Sequence, residues 1–216
     1  MDSCCEQKAE ELITLRAKHK NVLIIVLVIN AVLFVVEAAA GLLANSTALL
    51  ADSLDMLGDS LVYGFSLYVL WRSAAWKAGA AVFKGAIMAL FGMAVLLEAI
   101  YKTIAGVVPN AGVMGTIGLL VSLGNGFCFF LLYRHRSDDL NMRSTWLCSR
   151  NDIIANVSVL AAVAAVTIFN SHWPDVIVGI SIAALFLKSA FTVLGESFAE
   201  LHKLKSAAVT QITNLR

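Results

Sequence analysis

Three aspartates, Asp52, Asp55 and Asp59, interrupt an otherwise apolar stretch of the chain. At 100° per residue, Asp55 lies about 60° and Asp59 about 20° from Asp52, so all three share one helix face. Asp55 and Asp59 are four residues apart, with Cβ atoms about 5–6 Å apart. Like charges at that spacing destabilise an isolated helix, and a divalent cation between them reverses the sign. A second polar stripe lies a hundred residues on, where Cys148, Asp152 and Asn156 recur every four residues. Two helices that each offer an i,i+4 pair make a four-ligand site when they face each other. Four is the usual ligand count of zinc, and Cys and Asp are both zinc ligand types. The spacing therefore predicts a tetrahedral metal site of Asp55, Asp59, Cys148 and Asp152, with Asp52, Asn156 and Glu37 as accessory positions around it.

The elements that must carry these residues are read from composition. Of 216 residues, 59% are hydrophobic and 14% charged, against about 25% charged in an average soluble domain. Those values exclude a disordered chain and argue against a soluble globular enzyme. A net charge of +1 gives no electrostatic footprint for nucleic acid. Four cysteines, at 4, 5, 128 and 148, do not form the pattern of a disulfide framework. The first twenty residues are polar, without the short apolar core of a secretory signal.

Apolar runs divide the chain into six spans, at 22–43, 47–71, 79–101, 112–133, 145–170 and 174–195. Each is long enough to cross about 30 Å of hydrocarbon as a helix. The expected fold is an all-α membrane protein, a six-transmembrane-helix bundle. Its parts are a cytoplasmic N-terminal segment (1–20), the transport bundle (21–196) and a short cytoplasmic C-terminal segment (197–216). Residues 9–20 read as a short amphipathic helix. Twelve Lys and Arg residues fall in the two ends and in the second and fourth connections, against Lys102 alone on the other side. By the positive-inside rule, both termini face the cytoplasm. Lys84 reads as a snorkelling side chain, and Lys102 as the helix partner of Glu98. His172 and Asp175 read as an outer anchor and helix start beside Pro174. Asn30, Asn125, Asn156 and Glu37 read as hydrogen bonds between helices, and Cys4 and Cys5 as a weak metal-collecting pair.

Depth constrains the site. Asp55 and Asp59 lie about 12 and 18 Å along their helix from Thr47. If span five starts at Thr145, Asp152 is only about 10 Å in, and the pairs miss each other. A start near Leu140 moves it to about 18 Å and brings the levels together. Arg143 and Arg150 must then face protein or a water-filled vestibule.

Residues 45–59, reading N-S-T-A-L-L-A-D-S-L-D-M-L-G-D, resemble the second helix of the cation diffusion facilitator family. There an S-x-A-L-L-A-D-x-x-[HD]-M-x-x-D pattern carries two metal ligands. Asn30 and Glu37 resemble that family's first helix. The resemblance spans residues 20–196 and is strongest at 45–60 and 148–156. It implies a multi-pass cell-membrane exporter of divalent transition metals, zinc or cadmium, driven by proton antiport and working as a homodimer, with no permanently bound cofactor. By the resemblance, Asp55 and Asp59 match the second-helix ligands and Asp152 the distal fifth-helix ligand. Cys148 stands where the family has His or Asp, and a thiolate favours zinc or cadmium over magnesium, calcium or manganese. Family members continue into a cytoplasmic metal-binding domain, so the chain reads as a truncated form. Two other readings remain: a metal-binding membrane subunit without transport of its own, and an intramembrane thiol enzyme. The second lacks a mid-span histidine or a C-x-x-C motif.

Overall fold

The computed structural model describes the backbone of residues 4–69, 74–134 and 140–214. Side chains are described over 21–64, 76–133 and 152–202, apart from Leu23 and Lys77, and at Ser206. The described residues form six helices and no strand. In order they are α1 (Cys4–Ala44), α2 (Thr47–Val69), α3 (Ala74–Ala105), α4 (Ala111–Arg134), α5 (Leu140–Phe169) and α6 (Trp173–Asn214). Residues 9–20 are the first part of the continuous α1, not a separate helix. Residues 197–214 likewise prolong α6. At 41 and 42 residues, α1 and α6 each run about 60 Å, twice the hydrocarbon thickness.

Among the described residues, five stretches are long and apolar enough to cross a membrane: Ile24–Ala44, Ala78–Ala105, Ala111–Tyr133, Asp152–Phe169 and Trp173–His202. The helix absent from that set is α2, which carries the three aspartates. Its position compensates for its polarity. It packs against α1, α3, α5 and α6, and Ala48, Leu49, Leu50, Ala51 and Leu54 lie in the main core. Met88 and Val95 of α3, Met114 of α4, Val159 of α5 and Phe186 of α6 close around them. The periphery is apolar too: Val28, Val35, Leu97, Phe130 and Ile168 are exposed. A water-soluble bundle would bury such residues, whereas hydrocarbon solvates them without cost.

Helix ends use their own chemistry. Asn45 and Asn170 follow α1 and α5 with φ of 52° and 45°, and Gly106 follows α3 with φ of 64°. These left-handed residues stop a helix and return its last carbonyls to donors. After α1, the Ser46 N–H donates to the Gly41 carbonyl at 2.8 Å. The Asn110 N–H donates to the Ala44 carbonyl at 2.9 Å, which brings the start of α4 to the same end of the bundle.

The start of α6 sits against the start of α2. A Cβ added to Gly179 would lie 2.6 Å from Thr47 Cγ2 and 2.7 Å from its backbone carbon. Backbone cannot give way cheaply, so Gly179→Val is expected to cost about 1–3 kcal/mol. A lowered thermal unfolding midpoint in detergent checks this.

Buried lysines complete the scaffold. Lys102 pairs with Glu98 at 2.7 Å, four residues apart on α3, as the spacing led one to expect. Lys84 is buried within the protein. It does not snorkel along a lipid-facing surface, because its face of α3 turns inward.

Candidate metal-transport site

The α2 stripe faces inward as a set. Asp52 is fully buried, while Asp55 and Asp59 are partly buried. On α1, Glu37 is also fully buried. Its carboxyl lies within hydrogen-bonding reach of Asp52, and Asp55 acts on it electrostatically. From α5, Asp152 acts on Asp52 in the same way. Asp52 and Asp55 of α2 are therefore linked electrostatically to Glu37 of α1, and Asp52 to Asp152 of α5. The start of α5 explains how Asp152 reaches them. The helix begins at Leu140, which carries Asp152 about 18 Å into it.

Asn156 lies between α5 and α4. Its amide nitrogen donates to the Asp152 carbonyl at 2.8 Å. Its Oδ1 lies 3.4 Å from the hydroxyl of Ser122 on α4, whose proton goes to the Gly118 carbonyl at 2.7 Å. Asn30 differs from the reading of its sequence, since its amide donates to Val26 of its own helix at 2.9 Å. A buried amide without a neighbour's acceptor closes on the carbonyl four residues back.

Among the described residues, no three His, Cys, Asp or Glu side chains lie close enough together to hold a metal ion. The side chain of Cys148 lies outside the described residues, as do those of Cys4, Cys5, Arg143 and Arg150. Cys128 is buried against Val26, Val62 and Leu132, which fits packing.

One residue has a role that sequence reasoning missed. Asp175 caps α2 from α6. Its Oδ1 accepts from Ser46 Oγ at 2.6 Å and from the Ala48 N–H at 3.0 Å. Its Oδ2 accepts from the Thr47 N–H at 2.8 Å. Ser46 Oγ then accepts from the Leu49 N–H at 3.1 Å. The first turn of α2 has no acid of its own, and that gap was the available signal. An N-terminus rich in unpaired N–H groups needs an anion, and α6 supplies it. His172 stacks on Trp173 with centroids 5.2 Å apart, and its carbonyl accepts from the Val176 N–H at 3.1 Å at the start of α6.

An apolar-faced helical bundle with carboxyls buried on α1 and α2 is the architecture of a membrane protein. Residues 23–202 match the family model described as the cation efflux transmembrane domain, and the chain belongs to that family. It is a multi-pass membrane protein of a transporter family, which sets the enzyme reading aside. A zinc transporter, ZitB, of Yersinia pestis is 31% identical over 129 residues, covering 56% of this chain and 39% of that protein. ZitB of Yersinia pseudotuberculosis serotype I (strain IP32953) is 30% identical with the same coverage. The matched part thus spans about two fifths of the length of these curated relatives.

Proposed function

We propose that this protein exports divalent metal cations, zinc or cadmium, from the cytoplasm by alternating access with proton antiport. The observation that supports the reading is the electrostatic link of Asp52 on α2 to Asp152 on α5 and of Asp52 and Asp55 to Glu37 on α1, among apolar helices. Isolated intramembrane carboxylates cost about 2.5–3.5 kcal/mol each on insertion scales, and a cation offsets that cost. In this reading Asp55, Asp59, Cys148 and Asp152 hold the ion, and Asp52, Asn156 and Glu37 line the position. In this reading the apolar runs make six spans and the basic residues put both termini in the cytoplasm, with 21–196 as the transport bundle and a homodimer as the assembly. Metal favours deprotonated ligands and displaces their protons. Exchange of metal for protons across the two access states then couples export to the inward proton gradient.

The test is zinc-dependent proton flux through the purified protein in proteoliposomes. Flux that needs both the metal and the protein supports the exporter. Zinc binding without flux would instead fit a metal-binding subunit. Cys148→Ser replaces a soft ligand with a hard one. It is expected to shift the cadmium-to-zinc transport ratio downward by about tenfold while leaving the unfolding midpoint near that of the parent protein, measured by competitive uptake.

A further inference from the structure

Lys84 of α3 is 6% exposed, a cation enclosed by helices in a protein that handles cations in the exporter reading. Among the described residues the buried cations are Lys84 and Lys102. Lys102 is committed to Glu98 at 2.7 Å. A buried ammonium is costly unless opposite charge lies near it, so the side of α3 on which Lys84 sits decides what it does.

Close contacts fix that side. Gly85 and Gly92 meet Leu194 and Leu187 of α6. Met88 turns toward α2, where a Cβ added to Gly58 would lie 3.6 Å from its Cε. On the α3 wheel, Met88 lies about 60° from Gly85, and Lys84 lies about 40° further in the same sense. Lys84 is therefore on the α2 side of the helix, away from α6. The acids of α6 are placed elsewhere: Asp175 caps the start of α2, and Glu196 and Glu200 are exposed.

Height follows from the same contact. Residues 70–73 join α2 to α3, a connection short enough to make the two helices antiparallel neighbours. Lys84 precedes Met88 by four residues, which sets its Cα about 6 Å from the Met88–Gly58 level, toward that connection. Asp59, the residue after Gly58, is displaced in the same direction by about 1.5 Å. Lys84 and Asp59 thus lie within about one turn of each other in height, with Asp55 and Asp52 about two and three turns away.

We propose that Lys84 is a resident counter-charge of the α2 aspartates, a tethered cation that weakens their hold on a divalent metal and keeps the metal exchangeable. The role in transport rests on the exporter reading; the effect on metal affinity does not. One fixed charge acts in opposite senses on the two states. With the site empty it offsets the acids of α2, and with a divalent ion present it repels two positive charges. Contact is not required, because a unit charge about 10 Å from a divalent ion in a protein interior changes its affinity by about tenfold or more. A carrier gains from this, since an ion must be held strongly enough to enter and weakly enough to leave.

Lys84→Met removes the charge and keeps the apolar stem. Lys84→Gln is a second neutral variant, and Lys84→Arg retains the charge. Zinc affinity is measured by titration calorimetry in detergent, after size exclusion has shown each variant to be folded. Initial rates of zinc uptake into proteoliposomes give KM and the maximal rate. Both neutral variants are expected to bind zinc about tenfold more tightly than the parent protein, or better. Their KM should fall and their maximal rate should fall with it, because a tightly held ion leaves slowly. Lys84→Arg should stay near the parent in affinity. A lysine that only packs would give a raised KM in the neutral variants and no gain in affinity. Equal or weaker zinc binding by folded Lys84→Met and Lys84→Gln overturns the proposal. Zinc binding without uptake by the parent protein would instead overturn the exporter reading, and the affinity comparison then decides Lys84.

Discussion

Asp175→Ala is expected to destabilise the protein by about 3 kcal/mol or more. The change leaves the N–H groups of Thr47 and Ala48 without their acceptor in a buried setting, together with the Ser46 hydroxyl. Each buried donor left unpaired costs about 1–3 kcal/mol, and loss of a helix cap alone costs about 1 kcal/mol. Asp175→Asn should cost less. Its remaining oxygen keeps Ser46 and Ala48, while its amide sets a donor against the Thr47 N–H. The order alanine, then asparagine, then parent in thermal unfolding checks the argument. Equal midpoints for all three would remove Asp175 as the anchor of α2. The consequence reaches the site, because Asp175 holds the end of the helix that carries Asp52, Asp55 and Asp59.

The second large effect concerns transport itself. Asp55→Ala and Asp152→Ala are each expected to lower metal transport by more than about 100-fold. Loss of groups that merely support ligands costs about 10–100-fold in metal affinity, and a lost ligand carboxylate removes both a coordinating oxygen and a charge. Stability should move little or rise, since an alanine takes the place of a partly buried acid. That split separates a functional carboxylate from a structural one. Initial rates of zinc uptake into proteoliposomes, set beside unfolding midpoints of the same preparations, measure both. Uptake at parental rates in either variant would remove that residue from the site.

Much of this architecture is legible in the residues themselves. The apolar runs mark out the helices, because only a helix satisfies its own backbone within a lipid environment. The boundaries near 47, 111 and 173 are close to the expected ones, since Asn45, Pro109 and Pro174 punctuate the chain locally. The early start of α5 at Leu140 was legible only as a condition. Met142 to Asp152 is polar, and hydropathy alone assigns such a stretch to water. The ends of α1 and α6 were less visible, because composition separates apolar from polar and does not separate a lipid-embedded turn from a solvated one in the same helix.

What the sequence determines by itself is periodicity: which residues share a helix face, and hence that Asp52, Asp55 and Asp59 form one stripe and Asp152 and Asn156 part of another. Helical spacing is a local property, and four residues suffice to express it. The tertiary structure alone decides which stripes meet. It places Glu37 against Asp52 across two helices. It also turns Asp175, 129 residues from Ser46, into the cap of α2. Both arrangements come from the same physical demand, that a buried charge or unpaired N–H find a partner. The identity of the partner is set by how the apolar faces pack, which no local pattern encodes.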